Sequence, residues 1–145
     1  MNSPRAGAQF RRESQLKCLD SDLLVAILRG NEEARTIVKA LDEESKGATT
    51  SVNAFEVYFG ANKSAKKDEN VTEASKLLER LTVFPLDLSS SRKAAEIFAK
   101  LMTKGETIDF RDAMIAAIAL ENGLTLVTRN ISHFKRIKDL KTEKW

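Results

Sequence analysis

From Leu16 onward, short apolar runs alternate with longer stretches whose apolar residues recur at helical spacing. Residues 16–19, 48–51, 83–86 and 125–128 are short enough for strands. Between and after them, residues 23–28, 32–46, 52–61, 70–81, 89–104 and 109–122 read as helices. Ser21 is placed to cap the first helix, and Asn70 with Glu73 forms a capping-box pattern at the fourth. Residues 63–70 read as a polar loop. Gly30 and Gly47 each fall just past a helix, where a left-handed residue commonly ends it. The stretch beyond Arg129 has room for a turn and a last strand. Strands separated by helices need crossover connections, so the pattern predicts an α/β fold. Its expected form is a three-layer α/β/α sandwich with a central parallel sheet.

Residues 1–15 hold Pro4, Gly7 and many polar side chains without a periodic apolar pattern. They read as a flexible basic extension, leaving residues 16–145 as a single domain. With 42% hydrophobic and 31% charged residues, the chain has enough apolar matter for a core and is not of the disordered class. A single cysteine, Cys18 in an apolar run, excludes an intrachain disulfide and fits a reducing cytoplasm as a buried small hydrophobe. No apolar segment approaches the length of a membrane span, and the first residues lack the apolar core of a secretory signal.

Charge is unevenly placed. Arg5, Arg11, Arg12 and Lys17 face only Glu13 at one end, and Arg129, Lys135, Arg136, Lys138, Lys141 and Lys144 outnumber Asp139 and Glu143 at the other. The middle is net acidic. Basic ends around an acidic middle suit a polyanion held beside a cation-binding centre, although solvated ends give the same pattern.

Ligands of open parallel sheets bind beyond the carboxyl ends of the strands. Asp20 ends the first strand, Glu56 lies one turn into the helix after the second, and Asp112 lies in the first turn of the helix from 109. Asn130 follows the strand at 125–128, so all four are expected at one sheet edge. Two carboxylates about 4 Å apart repel by about 4 kcal/mol at an effective dielectric near 20. A cluster of them stays ionised if a hard divalent cation sits in it, and oxygen donors without His or Cys suit Mg²⁺ or Mn²⁺. Such an ion activates water and stabilises the oxyanions of an in-line phosphodiester displacement. Gly60, four residues after Glu56, leaves that helical face open to close approach. Asp109 reads as a helix N-cap and Asp112 as the inward carboxylate. An acid after a strand also serves as a turn or cap residue, and Glu56 also suits a salt bridge. His133, the only histidine, reads as a loop or surface residue.

Four stretches together carry a resemblance. They are Leu19-Asp20-Ser21-Asp22-Leu23-Leu24, Thr50-Ser51-Val52-Asn53-Ala54-Phe55-Glu56-Val57-Tyr58-Phe59-Gly60-Ala61, Asp112-Ala113-Met114-Ile115-Ala116-Ala117-Ile118-Ala119 and Leu126-Val127-Thr128-Arg129-Asn130-Ile131-Ser132-His133-Phe134. In this order and spacing they resemble PIN-domain proteins, and more narrowly the toxin ribonucleases of VapBC-type toxin–antitoxin modules. The resemblance implies an Mg²⁺- or Mn²⁺-dependent endoribonuclease acting on structured RNA. The family's acidic positions fall on Asp20, Glu56 and Asp112 as catalytic and metal-holding residues. The fourth position, often Asp, is Asn130, which can orient water but brings no charge; Asp22 is a possible additional ligand. Ser21 and Thr128 match the family's hydroxyl positions. Arg129, Lys135 and Arg136 are the expected RNA contacts. The resemblance also implies a cognate antitoxin, for which helices 23–28 and 32–46 offer an apolar groove, and a homodimer.

Two other readings stay open on the residues. Asp20-Ser21-Asp22 after a strand also looks like the nucleophile motif of haloacid-dehalogenase-type phosphatases, with Asp20 attacking phosphate and Asp22 as acid–base. That reading leaves Glu56 and the Asp112 motif without a use. Asn130 also permits a catalytically degenerate module that binds RNA or antitoxin without cutting.

Overall fold

β1 (Lys17–Leu19) turns Cys18 to one face of a sheet and Leu19 to the other, and both side chains are fully buried. That alternation, inherent to a strand, divides the core in two. The computed structural model describes residues 16–145; the extension expected at 1–15 lies outside the described residues. After β1 come α1 (Ser21–Leu28), α2 (Glu32–Glu43), β2 (Gly47–Thr50), α3 (Ser51–Lys63), α4 (Lys67–Glu79) and β3 (Thr82–Phe84). The chain continues through α5 (Leu88–Thr103), α6 (Phe110–Glu121), β4 (Thr125–Val127), α7 (Ile131–Phe134) and β5 (Lys141–Glu143).

The five strands form one sheet in the order β3-β2-β1-β4-β5, and every pairing is parallel. Cys18 registers with Ala48 on one side and Leu126 on the other. Cys18, Leu126, Ile115, Ile118 and Phe134 fill the core beneath α5 and α6. Leu19, Leu23, Leu24, Val38, Leu77 and Val127 fill the core beneath α1, α2 and α4. Helices on both faces of a parallel sheet make the expected three-layer α/β/α sandwich. The chain runs outward from β1 through β2 to β3, then returns to β4 on the other side of β1. The strand order therefore reverses between β1 and β4, and the carboxyl ends of those two strands frame a crevice.

Several elements differ in detail from the pattern. The first helix begins at Ser21, with Asp20 rather than Ser21 as its cap: the Asp20 carboxylate accepts from the Ser21 N–H. Gly47 opens β2 instead of closing a helix; Ser45, at φ 54°, takes the left-handed position. Gly30 does adopt it, at φ 83°. The Asn70–Glu73 capping box does not form, because α4 starts earlier, at Lys67, and the Asn70 amide donates to the Ser64 hydroxyl. A capping box forms instead at Asp87 and Ser90, at the head of α5. Phe55 and Phe59 of α3 stay 60% and 50% exposed, so this apolar helix is not wholly core.

Leu126 lies at the centre of the sheet and is fully buried. Leu126→Ala is expected to cost about 2–5 kcal/mol through lost transfer energy and a residual cavity. Urea unfolding with an unchanged denaturant slope checks it.

Candidate acidic active site

The crevice is built around one buried carboxylate. Asp20 follows β1 directly and is 5% exposed. Its Oδ1 accepts from the Ser21 N–H at 2.8 Å and from Asn53 Nδ2 at 3.1 Å. Its Oδ2 accepts from the Thr128 hydroxyl at 2.7 Å. Thr128 comes from the end of β4 and Asn53 from the first turn of α3, so three chain segments meet on this group. Thr50 caps α3 and donates its hydroxyl proton to Asn53 Oδ1 at 2.7 Å, which leaves the amide nitrogen facing Asp20. Burial raises the Asp20 carboxyl above its ordinary range; the Thr128 hydrogen bond opposes this, the Asp22 charge adds to it, and the Ser21 and Asn53 hydrogen bonds oppose it.

Glu56 lies one turn beyond Asn53. Its Oε1 accepts from the Ser21 hydroxyl at 2.8 Å, and that hydroxyl accepts from Asn53 Nδ2 at 2.9 Å. Its Oε2 stands 3.6 Å from Arg111 Nη1. Arg111 is turned toward the acids by Asp109, the N-cap of α6, whose oxygens accept from Arg111 Nε and Nη2 at 3.1 and 3.0 Å. Because α6 runs into β4 through the tight turn at Gly123, its first turn lies at the carboxyl edge of the sheet. This brings Asp112 beside the others. Among the described residues, no hydrogen-bond donor within the protein reaches the Asp112 carboxylate. Burial, then the charges of Asp20, Asp109 and Glu56, push Asp112 up to about 6.

Asp20, Glu56 and Asp112 therefore lie at one edge, as the sequence predicts, but they are not assembled into a triad. No three Asp, Glu, His or Cys side chains among the described residues stand arranged to hold one ion. Glu56 is taken up by Ser21 and Arg111. The donor chemistry nevertheless fits a hard cation: oxygen donors only, and an Asp112 without a donor among the described residues and under the charges of Asp20, Asp109 and Glu56. Asp20 and Asp112 are the groups whose repulsion such an ion would relieve most directly.

Asn130 is exposed; its backbone N–H donates to the Thr128 hydroxyl at 3.0 Å and its carbonyl accepts from the His133 N–H at 3.1 Å. Asp22 is committed elsewhere: Oδ2 accepts from the Arg129 N–H at 2.8 Å and Oδ1 from Trp145 Nε1 at 3.1 Å. It is thus neither a free ligand nor an acid–base group poised beside Asp20, and the phosphatase arrangement loses its second carboxylate. Of the expected RNA contacts, Arg129 packs 3.6 Å from the centre of the Trp145 ring, and Lys135 is exposed at the end of α7. Arg136 reaches the site, lining with Asp112 and His133 a cavity of about 320 Å³. His133 is exposed, as expected, yet its charge acts on Asp112. Gly60 is exposed with open space around it.

Asn53 and Arg111 escaped the sequence reading. Asn53 had a signal, a polar residue three before Glu56 on an apolar helix. Arg111 had none beyond standing between Asp109 and Asp112.

The unfolded chain titrates Asp112 near 3.8, against about 6 when folded, so the folded state binds this proton more tightly. Its ionisation lowers stability as pH rises from about 4 to 6, and the penalty is complete above that window. Asp112→Asn is expected to stabilise the fold at pH 7 by on the order of 1 kcal/mol, solvent screening of this half-exposed group allowed for. The gain should vanish near pH 4; unfolding of both proteins at the two pH values measures it.

The PIN domain family profile matches residues 17–140. Ribonuclease VapC2 of Rickettsia felis is 31% identical over 128 residues, 88% of this chain and 96% of that one. The tRNA(fMet)-specific endonuclease VapC of Shigella flexneri is 28% identical over 127 residues, again 88% and 96%. Among solved structures, VapBC2 from Rickettsia felis bound to a promoter DNA fragment superposes with a TM-score of 0.83 at 28% identity, covering 90% of this chain and 99% of that one. DNA-bound VapBC from Salmonella typhimurium gives 0.82 at 28%, with the same coverage.

Proposed function

The chain belongs to the PIN-domain family, and from that premise we propose that it is an Mg²⁺- or Mn²⁺-dependent endoribonuclease, the toxin of a toxin–antitoxin pair. One observation carries the chemistry: a buried, fully oriented Asp20 whose charge acts on an Asp112 that no donor among the described residues satisfies. The ribonuclease names of relatives aligned over most of their length support the reaction class.

Asp20 and Asp112 would hold the ion, with Glu56 joining directly or through water. When bound, the ion supplies a Lewis acid that activates water and offsets charge on phosphate oxygens. The chain's own residues do the rest. Three hydrogen bonds fix Asp20, so it needs no reorganisation as charge develops. Ser21 and Asn53 aim Glu56, which can orient the attacking water. Arg111 keeps a positive charge at the mouth of the site for the substrate phosphate. Asn130, after β4 at the same sheet edge, would add an uncharged amide. Attack by water, rather than by the ribose 2′-hydroxyl, leaves 5′-phosphate and 3′-hydroxyl ends.

The solved VapBC complexes support an antitoxin partner. Its place on this chain is the groove of about 360 Å³ between α1, α2 and α4, floored by Ile27, Val38 and Leu77. A second copy would cover Phe55 and Phe59, whose exposed rings stack 6.0 Å apart. Among the described residues no helix is long and apolar enough to cross a membrane, and a buried free Cys18 agrees with action in a reducing cytoplasm.

Purified, partner-free protein is expected to cut a pool of structured RNAs with Mg²⁺ or Mn²⁺ and not with EDTA. Asp112→Asn and Asp20→Asn should each lose at least about 100-fold, a deficit of about 3 kcal/mol in the barrier. Products ending in 2′,3′-cyclic phosphate would contradict attack by water. Metal-independent RNA binding without cleavage would favour the degenerate module. Phe59→Asp is expected to convert dimer to monomer in analytical ultracentrifugation, and an unchanged mass would move the second copy off α3.

A further inference from the structure

Arg136 lines two cavities. One holds Asp112; the other is a cleft of about 270 Å³ between α5 and the segment after α7. Ile97, Leu101, Leu120 and Ile137 form its apolar wall. Its rim is cationic: Lys93, Lys100 and Lys104 of α5 and its C-cap, and Lys138 opposite. The three lysines of the helix fall at i, i+7 and i+11, which places them on one face.

Among the described residues none of these four lysines has a carboxylate within ion-pair distance. The acids at the rim are Glu96 and Asp139, and Glu96 is 3.6 Å from Arg92. Glu106, 4.0 Å from Arg136, is the other nearby acid. Lys100 and Lys104, one turn apart on the helix, are separated by about 6 Å along its axis, within one Debye length of about 10 Å at 0.1 M salt, and repel. A polyanion laid along them removes the repulsion and releases its counterions. No aromatic side chain lines the cleft, so it offers no platform for stacked bases. A nucleic acid held there would be bound through its phosphate chain and not its sequence. From Lys93 to Lys104 the helix rises about 16 Å, the length of several nucleotides.

We infer that this cleft is a second phosphate-binding track, holding the RNA backbone that flanks the bond cut at the Asp20–Asp112 centre. The inference rests on the ribonuclease reading. Arg136 is the joint between the two parts: one strand passes Asp112 and His133, crosses Arg136 and continues along α5. An acidic protein segment is the competing occupant, and charge alone does not separate the two, but continuity with the acid centre favours the substrate.

The test compares the unsubstituted chain with Lys93→Gln/Lys100→Gln/Lys104→Gln/Lys138→Gln, both carrying Asp112→Asn to prevent cutting. Binding of a labelled structured RNA is followed from 50 to 300 mM salt, with folding checked by thermal melting. The slope of log affinity against log salt is expected to become shallower by about 3, at ~0.7 per lysine on a single strand. Affinity at 0.1 M salt should fall at least tenfold. Lys39→Gln/Lys76→Gln, on the opposite groove, is expected to leave the slope in place. An unchanged slope in the quadruple variant, or an equal loss in the control pair, overturns the track. Cutting of a trinucleotide, too short to reach α5, by the chain with Asp112 intact judges the ribonuclease reading separately.

Discussion

A carboxylate taken out of water must be satisfied by the protein, and the burial of Asp20 sets the terms for everything around it. Leaving it there without donors would cost several kcal/mol. The fold supplies a backbone N–H, an amide and a hydroxyl from three separate chain segments. Those segments can meet only if β1 lies between β2 and β4, the arrangement that the returning crossover produces. The demand of one charge and the topology of the sheet therefore specify each other. The same bonds hold the Asp20 carboxyl rigidly in place and oppose the rise in its pKa that burial imposes.

Asp112 is the complement. Among the described residues it has no donor, and burial together with neighbours of its own sign raises its pKa. Arg111 offsets part of the field but is held by Asp109 and Glu56 and leaves Asp112 aside. Evolution commonly spends stability on a functional site in this way. The rest of the molecule, with its two apolar layers, carries that cost.

The layers were legible because strand and helix periodicities differ, and Cys18/Leu19 and Leu126/Val127 obey the alternation to the residue. The order of the acids along the chain, with the rule for strand ends, was enough to put Asp20, Glu56 and Asp112 at one edge. Local competition was not legible. Asp20 took the cap expected of Ser21 because its side chain was already turned inward. Lys67 started a helix without a capping side chain because Ala74, Leu77 and Leu78 had a core to enter. The Arg111–Glu56 contact depends on the meeting of α3 and α6, which no local window contains. Asp22 and its indole partner are separated by nearly the whole described chain.

That last contact gives the molecule a reporter of its own. Trp145 is the only tryptophan, and its indole is bonded to Asp22 and covered by the Arg129 guanidinium, at the place where α1 and the end of β4 come together. Any fraying that frees Asp22 also strips the ring of its cation and its acceptor. The emission of this single fluorophore therefore follows the integrity of the crevice wall and not the average state of the fold, and it does so in the unlabelled protein.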